Sequence, residues 1–151
     1  MKAASGIKVV SDNQYGGATT ESAMAASETL LLAQGGDKGE VAGVFCPNES
    51  TTFGMLRALE KLGLAGKVKL VGFDASEKLV SGLKDGKVDA LVVQNPMNMG
   101  YLAVKTMSAH LKKESIDKLI DTGARVVEKA NMEEPEIKEL LSPDLTPYLG
   151  K

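Results

Sequence analysis

The chain alternates between two kinds of hydrophobic pattern. Short apolar runs rich in β-branched residues are typical of buried strands, and longer segments with apolar residues three and four positions apart predict helices. The predicted strands are 6–10, 41–46, 67–73, 89–93 and 122–127, and the predicted helices are 21–34, 50–64, 77–84, 97–113 and 135–141. This alternation predicts an α/β fold in three layers, a mostly parallel sheet with helices on both faces.

Cap and breaker residues support these boundaries. Thr19 or Thr20 is placed to begin the first helix, and Gly35 stands just past its end. Ser76 is a candidate N-cap for the third helix, and Pro96 suits the first turn of the fourth. Residues 143–151 are expected to form a tail. No linker-like segment interrupts the series, so residues 1–151 are predicted to form a single domain.

Three of the predicted strands run into polar residues. Asn48 follows the second strand, Asp74 the third and Gln94 the fourth. In open α/β sheets, ligands bind outside the carboxyl ends of the strands. A carboxylate and two amides together offer hydrogen-bond acceptors and donors, which suits a neutral ligand rich in hydroxyls.

Each of these residues also has an ordinary structural interpretation. Asn48 is a good N-cap for the following helix, Asp74 can bond to local amides, and Gln94 can be a loop residue. Both interpretations stay open for each residue taken alone.

Composition narrows the function classes. A formal net charge of −2 gives no electrostatic reason to expect nucleic acid or an anionic membrane as a partner. No apolar run is long enough for membrane insertion. The first residues contain no apolar stretch of the kind found in signal peptides, so none is expected here.

The residues that most often carry chemistry are scarce. Cys46 is the one cysteine and His110 the one histidine, so no internal disulfide is expected, nor a zinc site. His110 falls in the middle of a predicted helix, Ser50 has no evident base, and Cys46 resembles a buried small apolar residue. We therefore expect no enzyme activity, no metal and no cofactor.

Two other α/β functions fit the motifs poorly. A dinucleotide site needs a G-x-G-x-x-G turn, and Gly16-Gly17 does not supply one. A response-regulator-like domain with Asp74 as phosphate acceptor needs an acidic pair after the first strand, where Asp12 is one acid. A stand-alone flavodoxin-like or response-regulator-like domain therefore remains a distant alternative.

Several motifs in order resemble a known family. They are FCPNES at 45–50, GMLRAL at 54–59, VGFD at 71–74, DGKVDA at 85–90, VQNP at 93–96 and GYLAV at 100–104. Their order and spacing resemble the C-terminal lobe of ribose-type periplasmic sugar-binding proteins, the solute-binding components of ABC transporters. The resemblance implies a periplasmic-binding-protein type I lobe with a flavodoxin-like sheet.

The resemblance also implies a function and a site. In the family, the residues matching Asn48, Asp74 and Gln94 hydrogen-bond sugar hydroxyls, and the loop matching Tyr15 to Thr19, with Ala18, approaches the ligand. A ribose-like monosaccharide and an ABC permease are then the expected partners, in the periplasm or outside the cell. The effector lobe of a lactose-repressor-type regulator has the same architecture and is the first alternative. No helix-turn-helix is evident, and the segment 131–151 looks more like the exported proteins.

The chain departs from this family in two ways. Family members have two lobes that close on the sugar, and this sequence resembles one of them, so the N-terminal lobe is a missing partner. The lobe's first strand–helix unit, which supplies a central strand, also has no counterpart. We expect weak or no sugar binding by the isolated chain. Because unpaired strand edges favour association, we also expect a dimer, a strand swap such as a homodimer formed by strand exchange, or a rebuilt strand order.

Overall fold

The computed structural model describes residues 6–149, and within them it contains one sheet, six α-helices and a short 3-10 helix at Gly36–Lys38. The strands are β1 (Gly43–Phe45), β2 (Lys69–Phe73), β3 (Ala90–Val93) and β4 (Arg125–Glu128). The helices are α1 (Thr20–Ala33), α2 (Glu49–Lys61), α3 (Glu77–Lys84), α4 (Pro96–Leu111), α5 (Pro135–Leu141) and α6 (Thr146–Leu149). The expectation about a signal peptide falls largely on residues 1–5, outside the described range.

The four strands pair in the order in which they follow one another along the chain. β1, β2 and β3 are parallel, and β4 is antiparallel to β3. Helices α2 and α3 form the two crossover connections between the parallel strands, because neighbouring parallel strands cannot be joined by a tight turn. The predicted α/β class with a mostly parallel sheet is confirmed. The parallel order brings the carboxyl ends of β1, β2 and β3 to the same edge of the sheet.

The core lies between one face of the sheet and the helices. Leu59, Leu70, Leu83 and Leu91 are completely buried in it. At β2 the buried Leu70 alternates with half-buried Val71, so the two faces of the sheet are unequally covered. Burial of these leucines supplies the main stabilisation of the fold, because each is worth about 1.5–3 kcal/mol relative to exposure.

The second helical layer that the sequence predicted is incomplete. We refer to the other face of the sheet as the open face. It is formed by Phe45, Val71, Phe73, Val92 and Val126. Phe45 is 59% exposed and Val126 is 56% exposed. Among the described residues α4 buries no side chain completely, so it does not seal this face. The shortfall agrees with a lobe that lacks one strand–helix unit.

Two strand predictions were wrong in detail. Residues 6–10 form no strand, and Ile7 and Val9 are exposed. An extended segment becomes a strand only by pairing with a neighbour, and the described residues offer this segment none. The run 41–46 was predicted to be a buried strand, yet Phe45 is 59% exposed and Val44 is half-buried. β1 is also an edge strand, because β2 is its one partner in the described sheet.

The helix predictions hold closely, with two corrections, and the start of one strand also differs. Ser76 occupies the N-cap position of α3 but makes no side-chain cap bond. Its hydroxyl is buried without a partner among the described residues. The tail contains the short helix α6. The last strand begins at Arg125 rather than at Thr122. No helix within residues 6–149 is long and apolar enough to cross a membrane.

Candidate functional site

Asn48 occupies the turn between β1 and α2 and caps the helix. Its backbone is extended, and its Oδ1 accepts hydrogen bonds from the Thr51 backbone N–H at 3.0 Å, the Thr51 hydroxyl at 2.9 Å and the Ser50 hydroxyl at 3.1 Å. Capping was one of the two interpretations open from the sequence, and the geometry supports it.

The cap leaves part of Asn48 available. The Thr51 backbone N–H fixes which amide atom faces the helix, because a backbone N–H can donate to Oδ1 but cannot accept from Nδ2. Within the described residues, no side-chain hydrogen bond uses Nδ2. The exposed Asn48 side chain therefore presents an N–H donor outward while its oxygen serves the helix. The cap therefore does not compete with the ligand contact expected from the sequence, which would use the N–H donor.

Asp74 lies directly after β2 in an unusual backbone conformation. Its φ of 66° is in the left-handed region, which few residues other than glycine adopt. Its backbone N–H donates to the Val92 carbonyl at 2.9 Å, which ties it to β3. The local amide bonds that the sequence allowed for its carboxylate are not found among the described residues, so this half-buried group is an available acceptor.

Gln94 follows β3 and precedes α4. The adjacent Asn95 caps α4, since its Oδ1 accepts from the Asn98 backbone N–H at 2.9 Å, and Pro96 opens the helix. Gln94 itself is half-buried, and its side chain makes no hydrogen bond to the described residues. Because its amide carries both donors and an acceptor, it can complement either kind of polar group.

The loop that contains Tyr15 and Ala18 approaches the same edge of the sheet. A Cβ built on Gly16 would lie 3.1 Å from the Thr51 methyl group and 3.3 Å from Ala23, so the loop packs on the first turn of α2, beside Asn48. Tyr15 is 92% exposed and Ala18 is exposed. The structure therefore brings this loop close to Asn48.

Sequence reasoning missed Thr52, which connects two of these positions. Thr52 is fully buried in the first turn of α2. Its hydroxyl donates to the Asn48 carbonyl at 2.7 Å and accepts from the Phe73 backbone N–H at 3.0 Å. A single hydroxyl thus joins the residue that caps α2 to the residue before Asp74. A threonine at the fourth position of a helix carries no sequence signal for such a bridge.

The cysteine and the histidine of the chain lie in different surroundings. Burial raises the pKa of Cys46 to about 12, so its thiol stays neutral and unreactive near neutral pH. His110 is exposed on α4. A search of residues 6–149 finds no group of three or more His, Cys, Asp or Glu side chains that could hold a metal ion.

Fold and site together define a class: an α/β domain whose parallel strands end in hydrogen-bonding groups that have no partner in the described part of the chain. Residues 1–115 match the periplasmic binding protein domain family. The chain belongs to this family, which confirms the resemblance seen in the sequence.

Individual relatives agree with this assignment. The ribose import binding protein of Haemophilus influenzae is 34% identical over 101 residues, which is 67% of this chain and 32% of that protein. An ABC transporter solute-binding protein of Agrobacterium vitis, solved with bound D-fucose, is 37% identical with a TM-score of 0.79 over 87% of this chain and 44% of its own.

A carbohydrate transporter solute-binding protein of Agrobacterium radiobacter, solved with D-arabinose, is 36% identical. It aligns with a TM-score of 0.74 over 82% of this chain and 40% of its own. This chain therefore spans less than half the length of the relatives that it matches, and about a third of the ribose import binding protein.

Proposed function

We propose that this chain is one lobe of the sugar-binding component of an ABC importer, and that it binds a ribose-like monosaccharide. Asn48 and Asp74 are the proposed anchors for sugar hydroxyls, and Gln94 adds a further hydrogen bond. Tyr15 and Ala18 approach the ligand from the loop beside Asn48. The lobe binds and releases its ligand without changing a covalent bond, and it is not an enzyme.

The observation that carries the proposal is the complementarity of Asn48, Asp74 and Gln94. They follow three adjacent parallel strands, so they share one edge of the sheet. Asn48 offers a donor, Asp74 offers an acceptor, and Gln94 offers both. A sugar hydroxyl can donate and accept at once, so neighbouring hydroxyls of one monosaccharide can satisfy all three side chains.

The substrate class rests on the relatives as well as on the site. One relative is named for ribose import, and two were solved with D-fucose or D-arabinose bound. These ligands are neutral monosaccharides with adjacent hydroxyls. A neutral ligand also suits Asp74, because an anion there would be repelled by the carboxylate.

The proposed partners follow from partial coverage of the relatives. We infer that an N-terminal lobe completes the binding cleft, that the complete protein delivers sugar to an ABC permease, and that it works in the periplasm or outside the cell. An effector lobe of a lactose-repressor-type regulator would use the same edge of the sheet. The importer is preferred because the relatives described above are import or transporter solute-binding proteins.

We also propose that isolated chains form a homodimer by strand exchange. β1 has an open edge, and residues 7–10 are exposed and unpaired within the described residues. Each could satisfy the backbone groups of the other in a second copy, because an unpaired edge is a template for another strand.

The sugar site can be tested by NMR titration of the labelled chain with D-ribose, D-arabinose and D-fucose. Of the two outcomes expected for the isolated chain, weak binding and no binding, we propose weak binding. With half of the proposed cleft missing, dissociation constants should lie above about 1 mM, with saturation approached near about 100 mM sugar. Shifts should concentrate on the side-chain amides of Asn48 and Gln94 and on the Asp74 backbone. No shift at these positions at the highest concentration would overturn the proposed site.

The Asn48 cap can be separated from the proposed donor by two substitutions. Asn48→Asp keeps an N-cap acceptor but removes the amide donor, so we expect stability to be kept and sugar shifts to be lost. Asn48→Ala removes both, and should also cost about 1 kcal/mol of unfolding free energy. If Asn48→Asp titrates like the unchanged chain, Asn48 is a cap and no more.

A further inference from the structure

The Thr52 hydroxyl bridges the two sides of the proposed site from a position that no sugar can reach. Thr52 is completely buried and its oxygen makes one bond in each direction. It donates to the Asn48 carbonyl, which also accepts from the Thr52 backbone N–H at 3.0 Å, and it accepts from the Phe73 N–H. Because the hydroxyl has a single hydrogen, these two bonds fix its orientation.

The Phe73 N–H needs this partner because strand pairing ends beside it. Along β2, alternate residues bond to opposite neighbours: the Cys46 N–H donates to the Val71 carbonyl on the β1 side, and the Asp74 N–H donates to Val92 on the β3 side. Phe73 therefore faces the β1 side, where the chain has already turned at Pro47 toward α2. The Thr52 hydroxyl takes the place of the next strand carbonyl.

Close packing holds Thr52 in register with β2. A Cβ on Gly72 would lie 2.1 Å from the Thr52 methyl group, so no side chain fits between them. The residue after Phe73 is Asp74, whose left-handed backbone is unfavourable unless its surroundings hold it. Its backbone is thus held on one side by Val92 and on the other, through Phe73, by Thr52.

We propose that Thr52 is a positioning residue for sugar binding: its hydroxyl holds Asn48 and Asp74 in the relative arrangement that the ligand requires. This inference rests on the proposed sugar function. In this proposal, a buried side chain that touches no ligand contributes to the affinity of the site for sugar.

The test compares Thr52→Val, which keeps the shape and removes the hydroxyl, with Thr52→Ser, which keeps the hydroxyl and removes the methyl group. Thr29→Val is the matched control, since the Thr29 hydroxyl donates to the Ala25 carbonyl at 3.0 Å in α1 and has no second partner within residues 6–149. In the sugar titration we expect Thr52→Val to weaken binding about tenfold, with Thr52→Ser and Thr29→Val close to the unchanged chain.

A second readout needs no sugar. Amide hydrogen exchange is measured in each variant and compared with the Leu91 amide, which reports global unfolding. We expect Thr52→Val to reduce protection at Phe73, at Asp74 and at Thr51, whose N–H bonds to the Asn48 side chain. Loss of protection at Phe73 alone would show that the Thr52 hydroxyl makes a local bond that does not couple Phe73 to Asn48. That result would overturn the proposal.

The two readouts separate failure of this inference from failure of the proposed function. If the unchanged chain shows no sugar shifts, the sugar function fails whatever the exchange data show, and the affinity role fails with it. If the unchanged chain binds sugar and Thr52→Val binds equally well, or Thr52→Ser loses as much affinity as Thr52→Val, the positioning role is wrong and the sugar function stands.

Discussion

Asp74 stands out at the scale of single residues because its backbone is strained. A residue other than glycine with φ near 66° carries a cost of about 1–2 kcal/mol, although Asp tolerates this region better than most. Such strain persists where the surroundings impose it, and it concentrates at functional positions. Here the imposed conformation comes directly after β2, at the edge of the sheet where Asn48 and Gln94 also lie.

Replacing Asp74 should separate strain from binding. Asp74→Gly removes the left-handed penalty, so we expect the unfolding free energy to rise by up to about 1 kcal/mol while sugar shifts disappear. Asp74→Asn, which tolerates the same backbone, should leave stability nearly unchanged and weaken binding, because a neutral amide oxygen is a weaker acceptor than a carboxylate. Urea unfolding checks the first quantity. A loss of stability in Asp74→Gly would mean that the carboxylate has a structural role.

At the scale of elements, the contact between α1 and α2 depends on glycine. A Cβ on Gly54 would lie 2.6 Å from the Ala23 Cβ and 2.8 Å from the Met24 backbone nitrogen. The two helices can approach this closely only because Gly54 has no side chain. The loop with Tyr15 precedes α1, so this contact also helps to place that loop beside Asn48.

Gly54→Ala should destabilise the chain by about 1–3 kcal/mol, because the backbone of α1 would have to move. Gly100→Ala is the matched control: Gly100 lies within α4, and nothing stands within 4 Å of its added Cβ. We expect that control to stabilise the chain by about 0.5–1 kcal/mol, since Ala favours a helix over Gly. Urea unfolding of both variants measures these changes. An unchanged unfolding free energy in Gly54→Ala would contradict the packing argument.

At the scale of the whole molecule, the open face and the free edge of β1 are the surfaces that most favour association with another chain. Exposed Phe45 and Val126 belong to the same face, and β1 offers backbone groups with no neighbour in the described sheet. Exposed apolar surface next to a free strand edge favours association.

Size-exclusion chromatography with light scattering should therefore give twice the mass of one chain. Replacing Lys8 and Val9 together by proline removes backbone donors on both sides of the exposed segment 7–10, and should give a monomer. Val9→Thr, which keeps the backbone donor, should remain a dimer. A monomeric unchanged chain would mean that this sheet tolerates an open edge, and would remove the strand-exchange proposal.

Much of this fold could be predicted because its signals are local. Hydrophobic periodicity marked α1 to α5 and the strands β1 to β4, and Thr19 and Asn48 marked helix starts that the structure confirms. The positions of Asn48, Asp74 and Gln94 at strand ends followed from sequence order alone, since each comes directly after an apolar run.

What only the tertiary structure decided depends on contacts between distant parts of the chain. Whether residues 6–10 become a strand depends on a neighbour being present, and whether β1 is central or at an edge depends on which strands pair. The left-handed Asp74 and the Thr52 bridge arise where α2 meets the end of β2. Local pattern sets which residues are helical or extended, whereas long-range hydrogen bonds and packing determine how those elements pair and how their side chains are positioned.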